Sequence, residues 1–177
     1  AAALLVGWFA HVITTNSSAS NPQKPAPQFA GPVFAPHFRA PAFSLTDQYG
    51  KPATLSQYRG RVVVLTFMYS HSRDAGPLMV TEIRGALDEL PNAGRGLPVL
   101  AISVDPAHDT PASARAFLAR EQMTDRMRFL LGSRRQLEPI WKRYGIQPEF
   151  DPSGRRYSSG YSAYVMLIDR RGFLRVG

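Results

Sequence analysis

The segment Tyr69-Ser70-His71-Ser72-Arg73-Asp74-Ala75-Gly76-Pro77 holds the side chains of this sequence best placed for chemistry. It joins a strand-like run to a helix-like run. The N–H groups of the helix's first turn therefore face it and favour negative charge there. A thiolate would belong at such a place, because the same field lowers a thiol's pKa. The chain has no cysteine, which excludes disulfides, thiolate metal sites and thiol redox chemistry. The loop offers Ser72 and Gly76 instead. No base and orienting group accompany Ser72, so serine-hydrolase chemistry is not indicated. His71 and Asp74 form a candidate residual polar site, although a loop histidine is more often simply solvated or hydrogen-bonded.

The other chemically able residues have ordinary readings. Met68 and Met79 fall at core-like positions, where methionine packs. His37 lies in a proline-rich stretch. In Asp105-Pro106-Ala107-His108-Asp109, the two carboxylates flank a strand-to-helix turn, so capping is expected of them and a turn role of His108. No phosphate-binding or dinucleotide fingerprint is present.

These residues need elements to position them. Phe43–Thr46 alternates like a strand and is followed by an Asp47-Gln48-Tyr49-Gly50 turn. Arg61–Met68 reads as a buried strand, β-branched and nearly continuous. Pro77 is expected to open a helix at its first position, with Met79, Val80, Ile83, Ala86, Leu87 and Leu90 on one face. Leu97–Val104 is a second buried strand. Thr110 and Pro111 start a helix whose apolar stripe is Ala114, Phe117 and Leu118. Met127–Leu131 is a short strand. Ser133 and Gln136 make a capping box for a third helix. Its inward residues are Leu137, Ile140, Trp141 and Tyr144, and Gly145 ends it. Residues 147–161 read as a polar hairpin insert. Ala163–Ile168 and Phe173–Val176 form a final hairpin. This order predicts an α/β domain, a central mixed sheet flanked by helices, and the closing antiparallel hairpin suggests a thioredoxin-like fold.

Composition bounds the rest. Apolar residues are 44% and charged residues 19% of 177, as in a globular domain. The net charge is +8, and all but three of the 21 basic residues are arginines, the exceptions being Lys24, Lys51 and Lys142. The arginines are scattered along the chain without interleaved aromatics, so no nucleic-acid partner is expected and a solvated surface is the plain reading. Residues 1–15 contain the apolar run Ala1–Ile13 with Trp8, read as part of an N-terminal membrane anchor reaching the lipid bilayer, with a signal peptide as the rival reading. Residues 16–42 carry six prolines, Pro22, Pro25, Pro27, Pro32, Pro36 and Pro41. They read as an extended linker, expected to lie against another protein or the domain itself. Residues 43–177 are the folded domain.

Over about residues 42–177 the chain resembles the Sco/SenC family of thioredoxin-fold copper chaperones. The resemblance is carried by Tyr69–Pro77, by Ser103-Val104-Asp105-Pro106 with Asp109-Thr110-Pro111, and by Ser162–Asp169. It implies an extracytoplasmic, periplasmic setting and a further helix after the last hairpin, beyond Gly177. Family members hold one copper through a Cys-x-x-x-Cys pair and a distant histidine. Those positions fall on Ser72, Gly76 and Tyr161, which are degenerate metal-site positions because none is a good soft ligand. Tyr161, larger than an imidazole, is expected to lean toward the Ser72 loop and fill the space a metal would leave.

The resulting expectation is a non-catalytic, cofactor-free and metal-free accessory subunit. It would dock on the extracytoplasmic side of a membrane respiratory complex of terminal-oxidase type. The alternative is a copper chaperone or redox protein for oxidase assembly using an unorthodox site. A free extracytoplasmic binding module is a third reading.

Overall fold

The computed structural model describes residues 38–90, 96–148 and 164–176. The anchor expected at residues 1–15, linker residues 16–37 and, from residue 149 on, the insert expected at 147–161 with its Tyr161 lie outside them. No helix among the described residues is long and apolar enough to cross a membrane.

The strands are β1 (Ser44–Asp47), β2 (Pro52–Thr54), β3 (Val63–Met68), β4 (Val99–Ser103), β5 (Arg128–Leu131), β6 (Val165–Ile168) and β7 (Leu174–Val176). The helices are α1 (Ala75–Glu89), α2 (Pro111–Arg120) and α3 (Arg134–Tyr144), with a 3-10 turn at Leu55–Tyr58. The strands form one mixed sheet in the order β2-β1-β5-β4-β3-β6-β7. Strands β3, β4 and β5 run parallel, and β1, β2, β6 and β7 join antiparallel. Every residue of β3 and β4 is buried, as their unbroken apolar runs require of strands covered on both faces.

Alternation along β3 shows which helices cover which face. Thr66 Oγ1 meets Met79 of α1, whereas its neighbour Phe67 stacks 5.4 Å from Tyr144 of α3. On the α1 side, Phe117 of α2 packs edge-on against Phe129 of β5 at 6.0 Å. So α1 and α2 share one face and α3 lies on the other. Phe67, Phe117, Phe129, Leu65, Leu100 and Ile102 are fully buried, each worth about 1.5–3 kcal/mol of apolar transfer.

Several local expectations change. The sequence shows no strand at Pro52–Thr54, yet β2 forms there and pairs with β1; three residues carry too little periodicity to be read. Helix α1 starts at Ala75, two residues before Pro77, because Asp74 caps it by accepting the Ala75 N–H at 2.7 Å. Pro77 is tolerated at the third position, where no intrahelical N–H bond is needed. Ala86 and Leu90 do not join the buried face of α1, which consists of Gly76, Met79, Val80, Ile83 and Leu87. The caps of the other helices follow the sequence: Thr110 accepts from Ser113 N at 3.1 Å, Gln136 Oε1 accepts from Ser133 N at 2.9 Å, and Gly145 is left-handed at φ 72. The residues just ahead of Phe43 are hydrogen-bonded to the domain. Leu174 N–H donates to Phe38 O at 2.8 Å, Ala40 N–H to Gly172 O at 3.0 Å, and Tyr144 Oη to Pro41 O at 2.7 Å. Residues 38–42, the end of the expected linker, thus lie against the domain.

Candidate functional site

Parallel pairing of β3 with β4 brings both their carboxyl ends to the same edge of the sheet, where ligand sites of open α/β sheets form. The loop from Tyr69 to Gly76 therefore sits beside the turn from Ser103 to Asp109. Two hydrogen-bonded clusters result.

The first is the Ser72–Gly76 contact. Ser72 is buried, 1% exposed. Its Oγ accepts the Gly76 N–H at 2.9 Å, its N–H donates to Tyr69 O at 3.2 Å, and Arg120 donates to its carbonyl at 3.4 Å. The loop is closed so tightly that a Cβ placed on Gly76 would lie 2.7 Å from Ser72 Cβ and 2.8 Å from Ser72 Oγ. A disulfide needs its two Cβ atoms about 3.5–4.5 Å apart. The backbone at 72–76 is drawn in closer than a thiol pair permits, and glycine is what allows it. Burial pushes the phenol of Tyr69, at the loop's start, above its ordinary value.

The second cluster centres on Asp109, whose side chain is fully buried. It accepts Ser70 N–H at 2.8 Å, Ser70 Oγ–H at 2.6 Å and Ser103 Oγ–H at 2.5 Å. Burial raises its pKa above the ordinary value, partly offset by the Ser103 and Ser70 bonds. Ser113 Oγ lies 2.8 Å from Ser70 Oγ. His71 is half-exposed, with Nδ1 3.2 Å from Ser70 Oγ and 4.0 Å from Asp109 Oδ1. The adjacent Asp105 accepts Ala107 N–H and His108 N–H, both at 3.2 Å, and faces His108 Nδ1 at 3.0 Å.

Of the residues singled out from the sequence, Ser72 and Gly76 are brought together. His71 and Asp74 are not: Asp74 is spent on capping α1, and His71 turns to Ser70 and Asp109. Asp105, expected to cap, does not cap α2 either; it holds the turn by accepting the Ala107 and His108 N–H groups, and His108 takes the turn position expected of it. Asp109 does not cap α2, since Thr110 does; it locks the loop after β3 to the turn after β4. That role was legible only in part, because Ser70, Ser103 and Asp109 are distant in sequence and meet through parallel pairing. The donors gathered here are hydroxyls, one buried carboxylate and one imidazole. Among the described residues no cluster of three or more histidines or carboxylates could hold a metal. The ring of hydroxyls closes on Asp109 itself rather than on an open position.

A family model for SCO1/SenC matches residues 35–176. A curated relative from Stutzerimonas stutzeri, a putative copper-binding protein, is 30% identical over 82% of this chain and 72% of its own length. The mitochondrial protein SCO2 of Saccharomyces cerevisiae is 29% identical over 73% of this chain, which spans only 44% of that relative. Among solved structures, copper-bound ScoI of Bradyrhizobium japonicum superposes with a TM-score of 0.69 at 27% identity, covering 77% of this chain and 86% of that one.

Proposed function

From the premise that this chain belongs to the SCO1/SenC family, we propose that it serves the assembly of a copper-containing respiratory oxidase, on the extracytoplasmic side of the membrane and without catalysing a reaction. The observation that carries this is the family match over residues 35–176 on a domain with the mixed sheet of its copper-bound relative. The partners are subunits of a respiratory membrane complex, and the N-terminal apolar run is the proposed anchor.

Two readings of the role differ in whether this chain itself carries copper. The relatives favour copper handling at an unorthodox site, ahead of a copper-free docked subunit: one is described as a putative copper-binding protein and another holds copper. A specific observation favours the second reading. Cuprous ion prefers thiolate and thioether donors; Ser72 supplies a hydroxyl already bonded to Gly76, and Gly76 supplies none. The residues at 72 and 76 do not fit the metal, so no copper step is routed through them. A copper carrier of this sequence must use donors elsewhere.

An anaerobic Cu(I) titration against a chromophoric chelator separates the two. One equivalent taken up with about nanomolar or tighter affinity establishes the carrier reading; no uptake in that range leaves the docked subunit. The shared proposal is tested by co-purification from detergent-solubilised membranes, where absence of any oxidase subunit refutes it.

A further inference from the structure

The arginines that look scattered in the sequence are gathered by the fold. Arg39, Arg59, Arg61, Arg170 and Arg171 line one groove of about 140 Å3. It sits at the amino end of β3, the opposite end of that strand from the Ser72 loop. Among the described residues Asp169 is the one carboxylate lining it, and it is already taken by Arg175 at 2.6 Å. None of the five lining arginines is in an ion pair among the described residues. Arg59, Arg170 and Arg171 are exposed. Three guanidinium groups, those of Arg39, Arg171 and Arg175, stand 4.9, 5.4 and 5.6 Å from the ring of Phe173, which holds them in place by cation–π contact. So dense a set of like charges repels itself unless an anion faces it.

We propose that this arginine groove is a docking surface for anionic phospholipid, its guanidinium groups binding headgroup phosphates. Planar guanidinium forks match phosphate oxygens in a bidentate way. The surface has the make-up of an interfacial face rather than of a protein interface. A protein interface needs an apolar buried centre, whereas among the described residues the one exposed large apolar side chain near this groove is Phe38, 42% exposed beside Arg39. Aromatic and arginine side by side is the pairing that sits at headgroup level. The polypeptide also enters the domain here, through the Phe38 and Ala40 bonds to Leu174 and Gly172. A bilayer holding the apolar run Leu4–Ile13 would therefore be presented to this groove at raised effective concentration. Docked this way, the domain turns the Ser72 loop away from the membrane. The inference stands on the groove and does not depend on either copper reading.

The test is vesicle co-sedimentation of the full chain. The partition coefficients are compared for phosphatidylcholine vesicles and for vesicles with about 30 mol% phosphatidylglycerol. The apolar run contributes equally to both, so their ratio reads charge recognition. Each arginine near an anionic surface is worth about fivefold. Arg59→Gln with Arg170→Gln should lower the ratio about 25-fold. The same charge change at the other end of the strands, Arg73→Gln with Arg135→Gln, should alter it less than about threefold, and about 0.5 M salt should abolish the preference. Equal losses from both pairs would reduce the effect to net charge and overturn the proposal. So would displacement from the vesicles by millimolar inorganic phosphate, which would make the groove a small-anion site. Absence of lipid preference with groove-dependent retention on polyglutamate would assign it to an acidic protein instead.

Discussion

Gly76→Ala tests whether the Ser72 loop is as closed as its geometry says. The added methyl would sit 2.7 Å from Ser72 Cβ and 2.8 Å from Ser72 Oγ, against about 3.5–4.0 Å for ordinary carbon contacts. Ser72 has nowhere to go: it is 1% exposed, and its N–H, Oγ and carbonyl are each bonded. On the far side Phe117 Cζ stands at 3.7 Å, already in contact. Overpacking of this kind costs about 1–3 kcal/mol. Alanine returns up to about 1 kcal/mol in helix propensity, and less in the first turn of α1. The net expectation is a loss of about 1–2 kcal/mol, or a fall in Tm of roughly 3–8 °C for a domain of this size. Urea denaturation with a constant m-value measures it. The decisive comparison is the cycle with Ser72→Gly, which removes the clashing atoms. In that background Gly76→Ala should be neutral or stabilising, giving a coupling of about 1–2 kcal/mol. A stabilising Gly76→Ala in the wild-type background, or a coupling below about 0.5 kcal/mol, would refute the reading of a loop drawn in around a glycine.

Asp109 has a raised folded pKa, so its stability contribution is full below the ordinary value of 3.8 and is lost as pH rises through the folded value; Asp109→Asn should therefore flatten the decline of stability on the alkaline side of 3.8 in a pH series of urea melts, and an unchanged slope would contradict this. Asp47 runs the other way: burial raises its pKa, but the Lys51 and Tyr49 N–H groups and Arg128 outweigh it and hold the carboxyl below its ordinary value. Its contribution is present above 3.8 and lost as pH falls through the depressed folded value; Asp47→Ala, which strands the half-buried Arg128, should cost about 2–4 kcal/mol at neutral pH and remove that acid-side slope, and a loss under about 0.5 kcal/mol in urea melts would count against it. Trp141→Phe deletes the 3.0 Å bond from Nε1 to Ser103 O and should cost about 1–2 kcal/mol by calorimetry, with a neutral result showing that the bond is replaced. In copper titrations Ser72→Ala should leave the Cu(I) affinity unchanged within about twofold, whereas a tenfold fall, about 1.4 kcal/mol, would place copper on that hydroxyl.

The sequence by itself determined the α/β architecture and family. Long β-branched runs such as Val62–Phe67 can only be covered on both faces, and the caps Thr110, Ser133–Gln136 and Gly145 are local hydrogen-bond chemistry readable from short spacings. It also settled that no thiol acts here, since that depends on composition alone. The tertiary structure decided what is non-local. The start of α1 was misplaced because Pro77 is compatible with several first-turn positions, and Asp74 won the cap. The strand β2 is too short to show a period and exists because β1 offers it a ladder. Asp109 became the centre of a hydroxyl cluster only when parallel pairing set the ends of β3 and β4 side by side. The tightness of the Ser72–Gly76 approach is a backbone distance that no residue type encodes. The arginine groove is the clearest case: Arg39, Arg59 and Arg170 are spread over most of the chain, and charge density is a property of positions in space, which the chain acquires only when the last hairpin returns beside the segment that leads into the domain.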